Sequence, residues 1–301
     1  MYFYINNLII FNCKFKNIKV FITKDIRLSK NCEINDIIDY KGCGLMKKRY
    51  AIITDIHGNI EGLNAILDDI KTKDVDDIFC LGDVIDIGPN SKECVDKLIE
   101  QNIKTILGNH ELYLLRGTDI EPTIVEEEKE HYKWVKESLN DKEINFIKSC
   151  PLYYEINIDY DCRISNKKIV LCHYLIKDEK LVQPFEENLL KKDINLWTKY
   201  NNEDITYIIG HLHKSFNINE VDGISGDYIE ETGKLTNIEI VASAGCSYDE
   251  YVSYMILEIN RGIKFEKIKV KFDRNTFIDK LNKIYFPDKK NIMKYFYGIE
   301  I

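Results

Sequence analysis

The stretch ITDIHGN, Ile53–Asn59, ends an apolar run with an aspartate and a histidine two residues apart, directly before a glycine. Two polar, ligand-capable side chains at the end of a buried strand mark that end as a candidate site. The run before them, RYAIIT, is continuously apolar, as in a strand covered on both faces. After them, Asn59 can cap a helix in which Ile60, Leu63, Ile66, Leu67 and Ile70 recur at helical spacing. The same strand, loop and helix unit repeats. DDIFCLGD reads as strand and loop, with Ser91 as the helix N-cap before Cys94, Val95, Leu98 and Ile99, and a third strand, IKTIL, runs into GNHE.

Further along, HYKWVKESL places Trp134, Val135 and Leu139 on one helical side, and Asn140 with Glu143 has the form of a capping box for INFIKS. Pro151 closes this helix pair. KKIVLC, ITYIIG, IEIVAS and YVSYMILEI then read as strands, followed by IKFEKIKVKF and one or two terminal helices. No internal repeat or low-complexity linker interrupts this order, so residues 46–301 are expected to form one domain. Residues 1–45 differ: they are rich in Ile, Asn, Lys and Tyr, hold three of the nine cysteines and sustain no alternation. We expect them to be an atypical extension, with the domain beginning at Met46. The alternative is a hairpin or edge strand added to the sheet.

Composition narrows the classes. The 301 residues are 45% hydrophobic and 31% charged, a soluble globular balance with room for a large core. A formal net charge of −8 offers no basic face for long nucleic acid. An odd number of cysteines, with no C-x-x-C pair, reads as reduced thiols in a cytoplasmic protein. The opening MYFYINNLIIFNCKF is broken by asparagines, too short to span a bilayer, and lacks the features of a signal peptide, so neither secretion nor a membrane is expected.

Polar residues follow the strands in order: Asp55 and His57, Asp83, Asn109 and His110, His173, then His211 and His213. In open α/β sheets, the carboxyl ends of the strands are where loops converge on ligands. Carboxylate, amide and imidazole together suit Mn, Fe, Ni, Co or Zn. Asp55 and His57, two apart in extended backbone, would project to one side and grip one ion, whereas His211 and His213 could each serve a different one. Gly58, Gly82, Gly108 and Gly210 flank these residues, as tight turns near a bound ion or phosphate require.

These fragments, DIH at 55–57, GD at 82–83, GNHE at 108–111, His173 and GHLH at 210–213, resemble in order and spacing the calcineurin-like metallophosphoesterase superfamily. GPNSKECVDKLIE, the WVKESL helix, SAGC at 243–246 and the terminal YFP are similar to a bacterial branch related to phosphoprotein phosphatases and diadenosine tetraphosphatases. The resemblance implies an α/β fold, a two-layer mixed β-sandwich flanked by helices, with two divalent metal ions. Asp55, His57 and His213 would hold the first, Asn109, His173 and His211 the second, and Asp83 would bridge them. It further implies hydrolysis of phosphate mono- or diesters by a hydroxide shared between the ions, with His110 protonating the leaving oxygen. Asp86 would orient His110.

Departures narrow the reading. Related phosphoprotein phosphatases carry G-D-x-x-D-R-G, whose arginine binds phosphate; GDVIDIG has Ile87 at that position, which opposes a serine/threonine protein phosphatase. Tyr174 replaces a common glycine and narrows the pocket, and Leu212 in GHLH is a packing change. A non-catalytic, metal-stabilised binding subunit would have lost ligands, yet each position is filled. The expected partners are small phosphoesters or nucleotides, dinucleoside polyphosphates included, held between the middle helices and the insertion 214–236. Cys172 reads as core, His131 as a solvated residue of the charged segment EEEKEHYKW, the run at 126–130 as exposed, Glu111 as a local bond near its helix N-terminus, and Arg116 as helix packing.

Overall fold

A computed structural model describes residues 3–5, 8–12, 19–23, 47–118, 124–159, 166–174, 176–177, 180–181, 205–213, 238–260 and 262–301. The chain divides into two compact units, Met1–Gly44 and Leu45–Ile301. In the first, β1 (Phe3–Ile5), β2 (Leu8–Asn12) and β3 (Lys19–Thr23) form an antiparallel sheet. Strands of three to five residues are too short for a sustained alternation to be visible in the sequence.

The second unit is a two-layer mixed β-sandwich with helices. One sheet has the order β14-β13-β4-β5-β6, from β4 (Lys48–Ile53), β5 (Asp77–Cys80), β6 (Lys104–Thr105), β13 (Tyr251–Ile259) and β14 (Ile263–Lys271). The other has the order β12-β11-β8-β7, from β7 (Tyr153–Asp159), β8 (Asn166–Cys172), β11 (Ile205–Ile209) and β12 (Ile238–Ile240). A short pair, β9 (Ile176–Lys177) and β10 (Lys180–Leu181), stands apart. The third apolar run pairs over only Lys104–Thr105. Its continuation leaves the ladder because the amide of Leu107 donates to the Pro151 carbonyl (2.9 Å) and the chain turns at Gly108.

Strand alternation sorts the apolar side chains into two cores. Ile52, Phe79, Met255 and Leu257 meet Ile169, Leu171, Ile208 and Ile240 between the sheets. Ala51, Ile53, Val252, Tyr254 and Ile256 face the opposite way, into a second core shared with the helices. These helices are α1 (Ile60–Ile70), α2 (Ser91–Glu100), α3 (Asn109–Arg116), α4 (Glu126–Ser138), α5 (Asp141–Ser149), α6 (Arg274–Lys283) and α7 (Lys289–Tyr297). Leu63, Ile66, Leu67 and Ile70 bury the expected stripe of α1, each side chain contributing about 1.5–3 kcal/mol. Among the described residues, no helix is long and apolar enough to cross a membrane.

Caps fix where the loops enter. Asn59 Oδ1 accepts from the Gly62 amide (2.8 Å), and the Asn140 amide donates to Glu143 (2.8 Å). The expected cap at Ser91 is different. Asn90 precedes α2, and the Ser91 hydroxyl instead accepts from the Asp86 amide (2.9 Å), so it holds the preceding loop rather than the helix end.

Candidate metal centre

β4, β5, β8 and β11 run parallel where they pair, so their carboxyl ends deliver loops to one rim. There the backbone departs from the expected extended geometry. Asp55 (φ 52°), His57 (φ 46°), Asp83 (φ 50°), His211 (φ 67°) and His213 (φ 58°) all lie in the left-handed region, at about 1–3 kcal/mol each. Asp55 and His57 therefore share a side through two left-handed turns, not through strand alternation. Hydrogen bonds across the rim hold this backbone: the amides of Asp55 and His57 donate to the carbonyls of Gly82 (3.1 Å) and Asp83 (2.9 Å). Gly108 packs so closely that a Cβ there would lie 2.0 Å from Asp83 Oδ1.

Each ligand-capable group is oriented from behind. Asp55 Oδ2 accepts from Thr54 Oγ1 (2.8 Å) and the His211 amide (2.9 Å), leaving Oδ1 3.3 Å from His213 Nε2. Nδ1 of His57 donates to the Ile85 carbonyl (3.2 Å), and that of His173 to the Leu81 carbonyl (2.7 Å). Each bond keeps a proton on Nδ1, so that Nε2 is the atom left to ligate a cation. His57 Nε2 then lies 3.1 Å from His213 Nε2. Asn109 Oδ1 lies 3.0 Å from His173 Nε2 and 2.9 Å from His211 Nδ1.

Asp83 joins the two groups. Its Oδ1 accepts from the His110 amide (3.0 Å), and its Oδ2 sits 3.0 Å from His173 Nε2 and 3.8 Å from the Nε2 atoms of His57 and His110. The loop beneath it is fixed by buried Glu111, which accepts from the amides of Asp83 (2.9 Å), Val84 (2.8 Å) and Gly108 (2.8 Å). Glu111 is thus a local helix N-terminal partner that also reaches across to a neighbouring strand end.

The donor set fits divalent cations. Ring nitrogens and the Asn109 oxygen converge at 3.0–3.3 Å, spacings that match adjacent corners of a coordination shell with bonds of about 2.0–2.2 Å. Buried Asp55 Oδ1 has no hydrogen-bond partner. Asp83, His173 and His211 form one compact group, and His57 Nε2 lies 3.8 Å from both Asp55 Oδ1 and Asp83 Oδ2, with His213 Nε2 3.3 Å from Asp55 Oδ1, in another.

Electrostatics separates the imidazoles. Burial, aided by neighbouring rings, lowers His57 and His211 to about 3, so both are neutral and ready to ligate. Burial opposes charge on His173 as well, but the Asp83 carboxylate outweighs it and raises the ring to about 9. Asp55 is pushed up by burial, yet His213 overrides this and lowers it to about 2. A cation must therefore displace a proton from His173. Metal affinity at this group is expected to rise about tenfold per pH unit up to pH near 9. Calorimetric titration in buffers of different ionisation enthalpy reads the released proton; an affinity flat between pH 7 and 9 contradicts it.

His110 stands apart from the ligands. Its Nδ1 lies 2.5 Å from Asp86 Oδ2 and 3.1 Å from the Tyr132 hydroxyl, so its Nε2 faces Asp83 and the rim. Burial disfavours its charge, but Asp83 and Asp86 prevail and raise it to about 9.

His131 corrects the sequence reading. It is buried, with Nδ1 donating to the Pro287 carbonyl (3.0 Å) and Nε2 2.8 Å from Asp86 Oδ1. That second contact is an ion-pair approach lacking hydrogen-bond alignment. The signal was present in the sequence: His131, Val135 and Leu139 recur every four residues on the inner stripe of α4, but the surrounding charges obscured it. Arg116 is exposed, and Cys172 is core, its thiol pushed up to about 12 by burial. Tyr174 is buried with its ring 5.3 Å from that of His211, and Leu212 packs against the inter-sheet core. The insertion 214–236 lies outside the described residues.

Comparison with known proteins agrees with this architecture. An uncharacterized protein of Methanocaldococcus jannaschii, MJ0912, is 28% identical over 252 residues, 81% of this chain and 96% of the relative. Two solved structures share the fold. The metallophosphoesterase of Sphaerobacter thermophilus has a TM-score of 0.58 at 19% identity, covering 84% of this chain and 99% of its own. The hypothetical protein PH1004 of Pyrococcus horikoshii OT3 has a TM-score of 0.59 at 14% identity, with the same coverage of 84% and 99%. The calcineurin-like phosphoesterase family model matches residues 48–243, and the chain belongs to that family.

Proposed function

We propose that this protein is a metal-dependent hydrolase of phosphate mono- or diesters, acting on small molecules or nucleotides. The observation that carries the reading is the position of Asp83 Oδ2, which lies between two groups of imidazoles while His110 Nε2 faces it at 3.8 Å. Asp55, His57 and His213 would hold one divalent cation, and Asn109, His173 and His211 the other, with Asp83 shared. When bound, such a pair supplies Lewis acidity toward phosphoryl oxygens and lowers the pKa of water to near neutral.

The chain's own residues do the rest. Asp83 and Asp86 favour the protonated form of His110, which presents Nε2 where a leaving oxygen needs a proton. Asp86 keeps that proton on Nε2 by holding Nδ1–H. Asp86→Asn is expected to lower turnover about tenfold or more and leave metal content unchanged; equal turnover contradicts the orienting role. Ile87 is buried in the helix-side core, so no guanidinium occupies the position that binds phosphate in related protein phosphatases. This favours small substrates over phosphoproteins.

The test is elemental analysis of the purified protein, with turnover of a chromogenic phosphomonoester and the matching diester under Mn, Ni, Co, Zn and Mg. Metal-dependent release of the chromophore supports the reading, and the rate ratio assigns monoester or diester preference. A protein that binds metal but turns over neither ester, nor a dinucleoside polyphosphate, refutes it.

A further inference from the structure

The rim carries a sulfur that the resemblance did not assign. Ligand atoms of Cys246, His57 and His213 all lie within 4.8 Å of one another. The loop bearing Cys246 is fixed to the loop bearing Asp55 and His57. Ser243 Oγ donates to the Asp55 carbonyl (2.7 Å) and accepts from the amides of Cys246 (2.7 Å) and Gly245 (3.1 Å). The Ala244 amide donates to the Thr54 carbonyl (2.8 Å), and Asn59 Nδ2 donates to the Gly245 carbonyl (2.8 Å). Contact between the loops is so close that a Cβ on Gly245 would lie 1.8 Å from the Ile56 carbonyl oxygen. Only glycine permits that approach, and the approach sets Cys246 beside His57.

Independent observations point to a ligand at this position. Asp55 Oδ1 is fully buried, has no hydrogen-bond partner and lies 3.3 Å from His213 Nε2. The buried Tyr297 hydroxyl approaches the Cys246 side chain from behind. Cys80, Cys94 and Cys172 are buried among apolar side chains, whereas Cys246 is partly accessible and faces two imidazoles.

We propose that Cys246 is a thiolate ligand of the cation held by Asp55, His57 and His213, and that it biases this position toward zinc, cobalt or ferrous iron over magnesium or manganese. The proposal rests on the metal-dependent reading above. On binding, the thiol proton passes to solvent and the sulfur donates a lone pair to the cation; no electron is transferred. A soft thiolate favours these metals over hard cations, which prefer oxygen.

Titration of the metal-free full-length protein with cobalt(II) tests this, followed by absorption and elemental analysis. Wild type is expected to develop a near-ultraviolet thiolate-to-cobalt charge-transfer band together with visible ligand-field bands. Cys246→Ser should retain cobalt and the ligand-field bands, lose the charge-transfer band, and lower the preference for zinc over manganese on the order of tenfold, the scale on which even outer partners of metal ligands act. Alkylation of Cys246 by iodoacetamide, read by peptide mass in the wild type, should be blocked by cobalt; this arm serves if the variant fails to fold. Bound cobalt with no charge-transfer band and unprotected Cys246 overturns the proposal while leaving the metal-dependent reading intact. Failure to bind cobalt or any other divalent cation overturns both.

Discussion

Asp83→Asn is expected to lower phosphoester turnover on the order of 10^3-fold or more, since removing a single neutral transition-state donor already costs about 10^2–10^3, and to weaken cation affinity at both donor groups together. The substitution is chosen to isolate charge. Asn tolerates the left-handed backbone at φ 50°, and its side-chain oxygen can still accept from the His110 amide as Asp83 Oδ1 does at 3.0 Å. The Glu111 bonds to the loop use backbone amides and are unaffected. What disappears is the negative charge 3.0 Å from His173, which a shared cation pair would need most. Elemental analysis and turnover on the same preparation check this. Retention of wild-type metal content with turnover within tenfold of wild type would refute a bridging role.

The order of the strands and the position of the ligand-capable residues were legible because both follow short-range rules. An apolar run that stops in Asp, Asn or His puts a polar group at a strand end whatever the tertiary detail, and the cap at Asn59 and the box at Asn140 and Glu143 are local chemistry. Failures came where contacts are distant in sequence. His131 pairs with Asp86 across forty-five positions, and the charges of EEEKEHYKW mask the apolar spacing that buries the ring. Cys246 reaches His57 only because Ser243, Gly245 and Asn59 join two loops. The left-handed angles at Asp55, His57, Asp83, His211 and His213 were invisible because no residue type there demands them; surrounding hydrogen bonds impose them. Ser91 shows the reverse case, a residue with good capping chemistry recruited by a neighbouring loop.

The second large effect separates proton transfer from metal chemistry. His110→Gln is expected to lower turnover about 10^2–10^4-fold on an alkyl phosphoester, the range contributed by a general acid, while both donor groups keep their metals. His110 is suited to isolation: its Nε2 is 3.8 Å from Asp83 Oδ2, and its Nδ1 is tied to Asp86, outside the ligand set. On a nitrophenyl ester the loss should be far smaller, because that leaving group departs without a proton. Plotting log kcat against leaving-group pKa should therefore give a shallow slope for wild type and a steeper negative one for the variant. Parallel lines would mean that His110 binds the substrate without protonating it. Cations near Asp83 add a second consequence with a definite sign. In their absence Asp83 and Asp86 hold His110 at about 9; positive charge beside Asp83 lowers this value toward neutrality. The alkaline limb of the wild-type pH profile should accordingly fall below pH 9 and vanish in His110→Gln, whereas a limb unchanged by the substitution would assign that proton to another group.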